Sequence, residues 1–105
     1  MSRFSLHDLE AIIISRRDDT AKKSYTKSLL DLGVVHCGKK FGEEAVEFAM
    51  ASAQMDNVSM KSEAADVLYH LLVALQAARI PLQDILDELE RRTKMSGHEE
   101  KAKRG

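Results

Sequence analysis

Apolar residues recur every three or four positions along most of the chain, which is the spacing of one face of an α-helix. The alternation that a β-strand needs is not sustained over five residues anywhere. Only one proline, Pro81, interrupts the pattern. The pattern therefore predicts an all-α fold, a small helical bundle.

Capping residues and glycines divide the first part of this pattern. Ser5, with Asp8 three residues later, is typical of a helix N-cap, and a charged turn over residues 16–19 closes that helix. Ser24 opens a short second segment that ends at Gly33, a glycine placed to end a helix. We therefore expect two short helices before residue 34.

A longer pair of helices is predicted in the middle of the chain. One covers about residues 34–54, and the next begins at Asp56 or Asn57 and runs to about residue 79. Pro81 stops the second helix and starts a last one over residues 82–94. Residues 1–94 are thus expected to form one all-α domain around a central antiparallel helix pair, and residues 95–105 a frayed charged tail.

Composition and charge exclude several classes of protein. The 105 residues carry 16 basic and 17 acidic side chains, so the net charge of −1 gives no basic field for a nucleic acid. No apolar run reaches the roughly 20 residues of a membrane span. The single cysteine, Cys37, cannot form an internal disulfide. These features predict a small cytoplasmic protein that binds neither nucleic acid nor membrane.

Two pairs of acidic residues lie on the central helices. Glu44 and Glu47 are three residues apart on one helix, and Glu63 and Asp66 on the other, so each pair projects to one side. An antiparallel hairpin brings the two pairs to heights that differ by about 3 Å, at ~1.5 Å per residue. Four facing carboxylates repel unless they are protonated or a cation neutralises them. Oxygen ligands favour Mg²⁺, with Mn²⁺ the alternative, over Zn²⁺.

Two other interpretations stay open at this point. The acids could form a solvated helix face, although Asp66 lies in an apolar run that leaves little room for one. Lys39 and Lys40 also precede the glutamates in the poorer order for helix ion pairs, which weakens that interpretation. A di-iron carboxylate bundle is disfavoured because no glutamate has a histidine three residues later.

Three blocks of sequence resemble the phosphoribosyl-ATP pyrophosphohydrolase family, one of the all-α nucleotide pyrophosphohydrolases that include MazG-type enzymes. They are Ser-Tyr-Thr at residues 24–26 with Leu29 and Gly33, Lys-Phe-Gly-Glu-Glu-Ala-Val-Glu at residues 40–47, and Glu-Ala-Ala-Asp-Val-Leu-Tyr-His-Leu-Leu-Val at residues 63–73. The resemblance covers about residues 6–92. The first block, with Tyr69 and His70, indicates the histidine-biosynthesis branch.

This resemblance implies a dimeric enzyme that hydrolyses phosphoribosyl-ATP to phosphoribosyl-AMP and pyrophosphate with Mg²⁺. Carried over by position, the metal ligands are Glu44, Glu47, Glu63 and Asp66. The candidate catalytic acids are Glu43 and Glu44, with Glu43 either a further ligand or the group that orients the attacking water. The candidate substrate-binding residues are Ser24, Tyr25, Thr26, Lys39, Lys40, Tyr69 and His70.

Some of these residues also have a structural interpretation. The Ser-Tyr-Thr block could be a capping and packing cluster, and Tyr69 and His70 could belong to the core. Cys37 is interpreted as a small buried apolar residue.

A chain this short leaves apolar helix faces without cover, which predicts a homodimer or a higher homo-oligomer. Two alternative functions remain: a house-cleaning pyrophosphohydrolase of non-standard nucleoside triphosphates, and a helical interaction module without activity.

Overall fold

The computed structural model describes residues 3–20 and 24–94, and over these residues it consists of five α-helices. They are α1 (Leu6–Asp18), α2 (Tyr25–Asp31), α3 (Val34–Ala53), α4 (Asn57–Ala77) and α5 (Leu82–Thr93). No strand occurs in the described residues, so the predicted all-α fold is confirmed. The predicted tail, residues 95–105, lies outside the described part of the chain.

Polar caps start three of the helices where the sequence predicted them. Ser5 and Asp8 form a reciprocal capping box at α1: the Ser5 hydroxyl accepts from the Asp8 amide at 3.1 Å, and the Asp8 carboxylate accepts from the Ser5 amide at 2.9 Å. Ser24 caps α2 and Asp56 caps α4, each accepting from the amide three residues on. These side chains satisfy backbone donors that the first turn of a helix leaves free.

Both central helices end in a left-handed residue that is not glycine. Met55 follows α3 with a φ of 53°, and Arg79 follows α4 with a φ of 61°. After Arg79, the amide of Ile80 donates to the Leu75 carbonyl at 2.9 Å, and the corresponding bond after Met55 measures 3.2 Å. These are Schellman motifs, which satisfy the last carbonyls of a helix and turn the chain sharply.

The end of α4 and the start of α5 differ slightly from the prediction. α4 ends at Ala77, two residues early, because the left-handed turn at Arg79 precedes the proline. Pro81 is the N-cap of α5 and not its first residue, with a ψ of 145° that lies outside the helical range. The Glu10 carboxylate accepts from the Leu82 amide at 2.8 Å and so ties α1 to the start of α5.

The core lies toward one end of the central hairpin. The short turn between α3 and α4 makes them antiparallel neighbours, while α1 and α2 pack on α4, and α5 contacts α1. The buried apolar cluster consists of Ile13, Leu29, Cys37, Leu72, Val73 and Leu82. The acidic residues lie near the middle of the hairpin, between this core and the turn at Met55.

Several large apolar side chains stay exposed on the described helices. The most exposed on α3 and α4 are Val35 at 89% and Val58 at 78%. Met50 and Leu68, which flank the acidic residues in sequence, are also exposed. None of the described helices has an apolar stretch long enough to cross a bilayer.

Candidate active site

The hairpin brings acidic side chains of α3 and α4 together. Glu44, Glu63 and Asp66 each offer one carboxylate oxygen, and these oxygens lie within 4.8 Å of one another. Glu44 is buried, with 9% of its surface exposed, whereas Glu63 is half-buried and Asp66 exposed. The structure thus places three of the four predicted metal ligands in one cluster.

Glu47, the fourth predicted ligand, borders this cluster. Hydrogen bonding with Glu44 and the negative charges of Glu44 and Glu63 raise the pKa of the Glu47 carboxyl, and Lys40 opposes the shift in part. Glu47 therefore lies within electrostatic range of the other acids, although its oxygens are outside the 4.8 Å set. A raised carboxyl pKa is the effect that neighbouring negative charges have on an acid.

One oxygen of the site lacks a partner. Among the described residues, Glu63 Oε2 is a fully buried side-chain oxygen that makes no hydrogen bond. Leaving a buried carboxylate oxygen unpaired costs about 1–3 kcal/mol or more, so such atoms need an explanation. A cation bound by the cluster would satisfy this oxygen, and a set of only carboxylate oxygens fits a hard divalent ion.

The exposure of Asp66 differs from the prediction. The apolar run around it was expected to leave no solvated face, but Asp66 is exposed together with Ala65 and Leu68. The reason is that the helices packed against α4 leave part of its surface uncovered at Ala65, Asp66 and Leu68. The clustering of Asp66 with Glu44 and Glu63, and not its burial, is what supports a role in metal binding.

Lys40 lies beside the acids. Its Nζ is 3.5 Å from Glu44 Oε1 and 3.6 Å from Glu43 Oε1, so the poorer residue order did not prevent an ion pair. The Tyr25 phenol, then Glu43 and Glu44, raise the pKa of the Lys40 ammonium, which keeps it charged. Lys39, in contrast, is an exposed residue outside these pairs.

Aromatic rings from α2 and α4 form a cluster next to Lys40. Tyr25 and Tyr69 stack with ring centroids 6.4 Å apart, and His70 meets them edge-on at 6.2 Å and 4.9 Å, respectively. Thr26 is buried, and its hydroxyl shares a hydrogen bond of 2.5 Å with the Tyr69 hydroxyl. Tyr25 is 56% exposed and so remains open to a ligand.

Two residues of this region have clear structural roles. The Ser24 hydroxyl accepts from the Lys27 amide at 3.0 Å, which is the capping role that the sequence left open. His70 is buried, and burial lowers the pKa of its imidazole despite the nearby charges of Glu44 and Asp66. His70 is therefore neutral at neutral pH.

A groove of about 260 Å³ extends from the acids toward the turn between α3 and α4. Its lining consists of Glu47, Met50, Ala51, Gln54, Ser59 and Glu63. The sequence pattern did not predict its four non-acidic residues as part of a site. The signal that could have found them is helical spacing: Met50 and Gln54 follow Glu47 by three and seven residues, and Ser59 precedes Glu63 by four.

Cys37 is 1% exposed, and its thiol donates to the Leu29 carbonyl at 3.1 Å. Burial raises the pKa of the thiol. Its interpretation as a small buried apolar residue is confirmed.

Over the described residues, the all-helical fold and the acids clustered across its central hairpin fit the class that the sequence resembles, the all-α nucleotide pyrophosphohydrolases. Comparison with known proteins agrees with this class. The model of the family described as phosphoribosyl-ATP pyrophosphohydrolase matches residues 6–93. This chain therefore belongs to the phosphoribosyl-ATP pyrophosphohydrolase family.

Individual relatives are similar over nearly their whole length. The chain is 50% identical to phosphoribosyl-ATP pyrophosphatase 1 of Rhodopseudomonas palustris over 104 residues, which cover 99% of this chain and 97% of the relative. It is 52% identical to the phosphoribosyl-ATP pyrophosphatase of Methylobacterium nodulans, with the same coverage. It is 51% identical to the phosphoribosyl-ATP pyrophosphatase of Azorhizobium caulinodans over 102 residues, which cover 97% of this chain and 94% of the relative. The resemblance found in the sequence, and the prediction of a hydrolase of this family, are confirmed.

Proposed function

We propose that this chain hydrolyses phosphoribosyl-ATP to phosphoribosyl-AMP and pyrophosphate, the second step of histidine biosynthesis. The bond cleaved joins the α and β phosphates. The observation that carries the proposal is the cluster of Glu44, Glu63 and Asp66 with its unpaired buried oxygen on Glu63. The similar proteins match 97–99% of this chain, and their names support the same substrate.

Mg²⁺, with Mn²⁺ as the alternative, is the proposed cofactor. Glu44, Glu63 and Asp66 would hold it, and Glu47 borders the cluster as the fourth ligand. When bound, the ion neutralises phosphate charge and activates water for attack on phosphorus. A bound ion would also relieve the repulsion from Glu44 and Glu63 that raises the pKa of Glu47.

Glu43 and Glu44 are the proposed catalytic acids. Glu43 lies outside the three-residue cluster. Its side chain is 53% exposed, and its Oε1 lies 3.6 Å from Lys40 Nζ. A carboxylate in that position can accept a hydrogen bond from the attacking water and orient it, whereas Glu44 would bind the metal. Lys40 holds both acids in place before substrate binds.

The substrate phosphates are proposed to bind beside Lys40. Its ammonium is charged and 31% exposed, and it can leave its two carboxylate partners for a phosphate oxygen. Tyr25 offers an exposed ring and hydroxyl next to it, and neutral His70 lies behind Tyr25. Ser24, Thr26, Tyr69 and Lys39 complete the substrate-binding set predicted from the sequence.

A homodimer or higher homo-oligomer in the cytoplasm is proposed as the working form. Exposed apolar side chains on both central helices, among them Val35, Val58 and Met50, support a further subunit contact. Size-exclusion chromatography with light scattering tests this part. A stable monomer at micromolar concentration would contradict it.

The substrate is tested by ³¹P NMR of the purified protein with phosphoribosyl-ATP, ATP and dUTP, each with Mg²⁺ and again with a chelator. We expect metal-dependent release of pyrophosphate from phosphoribosyl-ATP alone. Release from ATP or dUTP instead would assign the chain to house-cleaning hydrolysis. No release from any of the three would favour an interaction module.

A further inference from the structure

Arg16, in the last turn of α1, is an exposed arginine that has no role in the chemistry proposed above. Among the described residues its guanidinium takes part in no ion pair. The neighbouring Arg17, in contrast, donates to both carboxylate oxygens of Asp18, at 2.7 Å and 3.0 Å. A guanidinium without a carboxylate partner can bind a phosphate through two parallel hydrogen bonds.

The direction of α1 brings its last turn toward the aromatic rings of α2 and α4. Near the start of α1, Glu10 accepts from the Leu82 amide, beyond the end of α4. Seven residues later, Arg17 lines a cavity together with Gln76 of α4. α1 therefore runs antiparallel to α4, and its last turn approaches Tyr69 from the C-terminal end of α4.

Arg16 and Lys40 lie beside different rings of the stacked pair Tyr25 and Tyr69, whose centroids are 6.4 Å apart. The Tyr25 phenol is the group that most raises the pKa of the Lys40 ammonium. Burial raises the pKa of the Tyr69 phenol, and the hydrogen bond with Thr26 and the positive charge of Arg16 oppose that shift. The two cations are thus separated by the two rings.

These cations also come from helices on different sides of the rings. α1 and α3 each pack on both α2 and α4, whereas α1 and α3 make few direct contacts at most. Lys40, on α3, is paired with the acids next to the metal site, and Arg16, on α1, is not. The Tyr25 ring, which is 56% exposed, lies between the two positive groups.

Phosphoribosyl-ATP has a matching distribution of charge. It carries a triphosphate on one ribose and a single phosphate on a second ribose, and the planar base joins the two riboses. Two separate cations with an exposed aromatic ring between them can bind two anionic groups and a planar base at the same time. ATP has the triphosphate and the base but lacks the second phosphate.

We infer that Arg16 binds the phosphate of the ribose attached to the base, while the triphosphate lies at Lys40 and the carboxylate cluster and the base lies against Tyr25. The inference deepens the proposed function and rests on it. It makes Arg16 a determinant of specificity, because only a substrate with a second phosphate can use this contact.

The test measures the two products of the proposed reaction by titration calorimetry with Mg²⁺. Phosphoribosyl-AMP retains the ribose phosphate, and inorganic pyrophosphate lacks it. The proteins are the wild type, Arg16→Gln and Arg16→Lys, and Arg17→Gln is the matched control because it removes the same charge one residue away. Steady-state kinetics with phosphoribosyl-ATP follow on the same four proteins.

We expect Arg16→Gln to bind phosphoribosyl-AMP about tenfold more weakly or worse, which is typical of losing a hydrogen bond between charged groups. Arg16→Lys should recover part of this affinity, and Arg17→Gln should stay within about twofold of the wild type because salt screens a charge that does not touch the ligand. All four proteins should bind pyrophosphate alike. The KM for phosphoribosyl-ATP should rise in Arg16→Gln while kcat is unchanged, because the contact is remote from the bond that breaks.

Three results would overturn the inference. The first is that Arg16→Gln binds phosphoribosyl-AMP as the wild type does, or that the wild type does not bind it. The second is an equal loss in Arg17→Gln, which would indicate a general effect of charge. The third is a lower kcat with an unchanged KM, because Arg16 would then act at the reacting phosphates.

Failure of this contact can be distinguished from failure of the proposed function. If the wild type does not hydrolyse phosphoribosyl-ATP, the proposed function fails, while calorimetry with phosphoribosyl-AMP still reports whether Arg16 binds the ribose phosphate. If the wild type hydrolyses it and Arg16→Gln binds phosphoribosyl-AMP normally, only the role of Arg16 fails.

Discussion

The Thr26 hydroxyl and the Tyr69 hydroxyl share a hydrogen bond of 2.5 Å across 43 residues of sequence. Thr26 is 5% exposed, and burial raises the pKa of the Tyr69 phenol. Water therefore does not readily replace either hydroxyl as the hydrogen-bond partner of the other. The bond fixes α2 against α4 one turn from Asp66. It also holds Tyr69 edge-on against His70, with centroids 4.9 Å apart.

We predict that Tyr69→Phe destabilises the protein by about 1–3 kcal/mol, since it leaves the buried Thr26 hydroxyl without its partner. Thr26→Val should cost a similar amount. The double variant should cost less than the sum of the two, because both members of the pair are then gone. Urea unfolding of the four proteins measures the coupling, with Tyr25→Phe as the control because Tyr25 is largely exposed. Additive losses would show that the bond contributes no net stability.

The helix boundaries could be predicted from the sequence where a residue type has a well-defined effect on the backbone. Ser5, Ser24 and Asp56 cap helices because a short polar side chain can bond the first free amides, and Pro81 cannot continue α4. The sequence contains no such residue at the left-handed helix ends, Met55 and Arg79, so these conformations could not be predicted. A left-handed conformation costs a non-glycine residue about 1–2 kcal/mol, and the Schellman hydrogen bonds of the folded chain help to offset it.

The acid cluster was predictable in part. Counting residues along an antiparallel hairpin predicted that the pair Glu44 and Glu47 faces the pair Glu63 and Asp66, because helix rise and turn length determine height. The structure brings Glu44, Glu63 and Asp66 together and leaves Glu47 at the border. The exposure of Asp66 was not predictable in this way, since it depends on which helices cover α4. The groove was missed for a related reason: methionine, glutamine and serine carry no distinctive chemistry until packing leaves them beside the acids.

Asp66→Asn should lower turnover of phosphoribosyl-ATP by about 100-fold or more while the fold is retained. The amide keeps the shape of the side chain but removes a charge from the metal site. Because Asp66 is exposed and faces other acids, its loss should not destabilise the metal-free protein. Steady-state kinetics and thermal unfolding in a chelator measure the two effects, with Asp31→Asn, at a surface ion pair with Lys27, as the control. Loss of the fold together with activity would indicate a structural role.

Removal of the metal should make stability depend on the ionisation of Glu47. Its carboxyl pKa is raised above the ordinary 4.5 by Glu44 and Glu63, so the ionised form is disfavoured in the folded state. In a chelator, the contribution of Glu47 to stability is therefore present below pH 4.5 and is lost as pH rises through the raised pKa. Mg²⁺ should reverse this trend, because it favours the carboxylate.

The comparison that isolates Glu47 is urea unfolding of the wild type and Glu47→Gln from pH 4 to pH 7, with chelator and with Mg²⁺. The variant should lose the pH-dependent fall in chelator and gain less stability from Mg²⁺. Glu90→Gln, at an exposed position on α5, should behave as the wild type does. Parallel curves for the wild type and Glu47→Gln in chelator would show that the acids do not repel in the folded protein.

Acid should weaken α5 through Glu88. Arg91 and Arg92 donate to its carboxylate at 2.7–3.0 Å, and these hydrogen bonds lower the pKa of Glu88 from 4.5 to about 2. A lowered carboxyl pKa contributes stability that is complete above pH 4.5 and is lost as pH falls toward 2.

The difference in unfolding free energy between the wild type and Glu88→Gln should therefore be larger at pH 5.5 than at pH 3. Because the three side chains are partly exposed, 1 M salt should shrink the difference at pH 5.5. A difference that is equal at both pH values would mean that the arginines stabilise α5 by packing and not by charge. In that case 1 M salt would also leave the difference between the wild type and Glu88→Gln unchanged, which provides a second test of the same explanation.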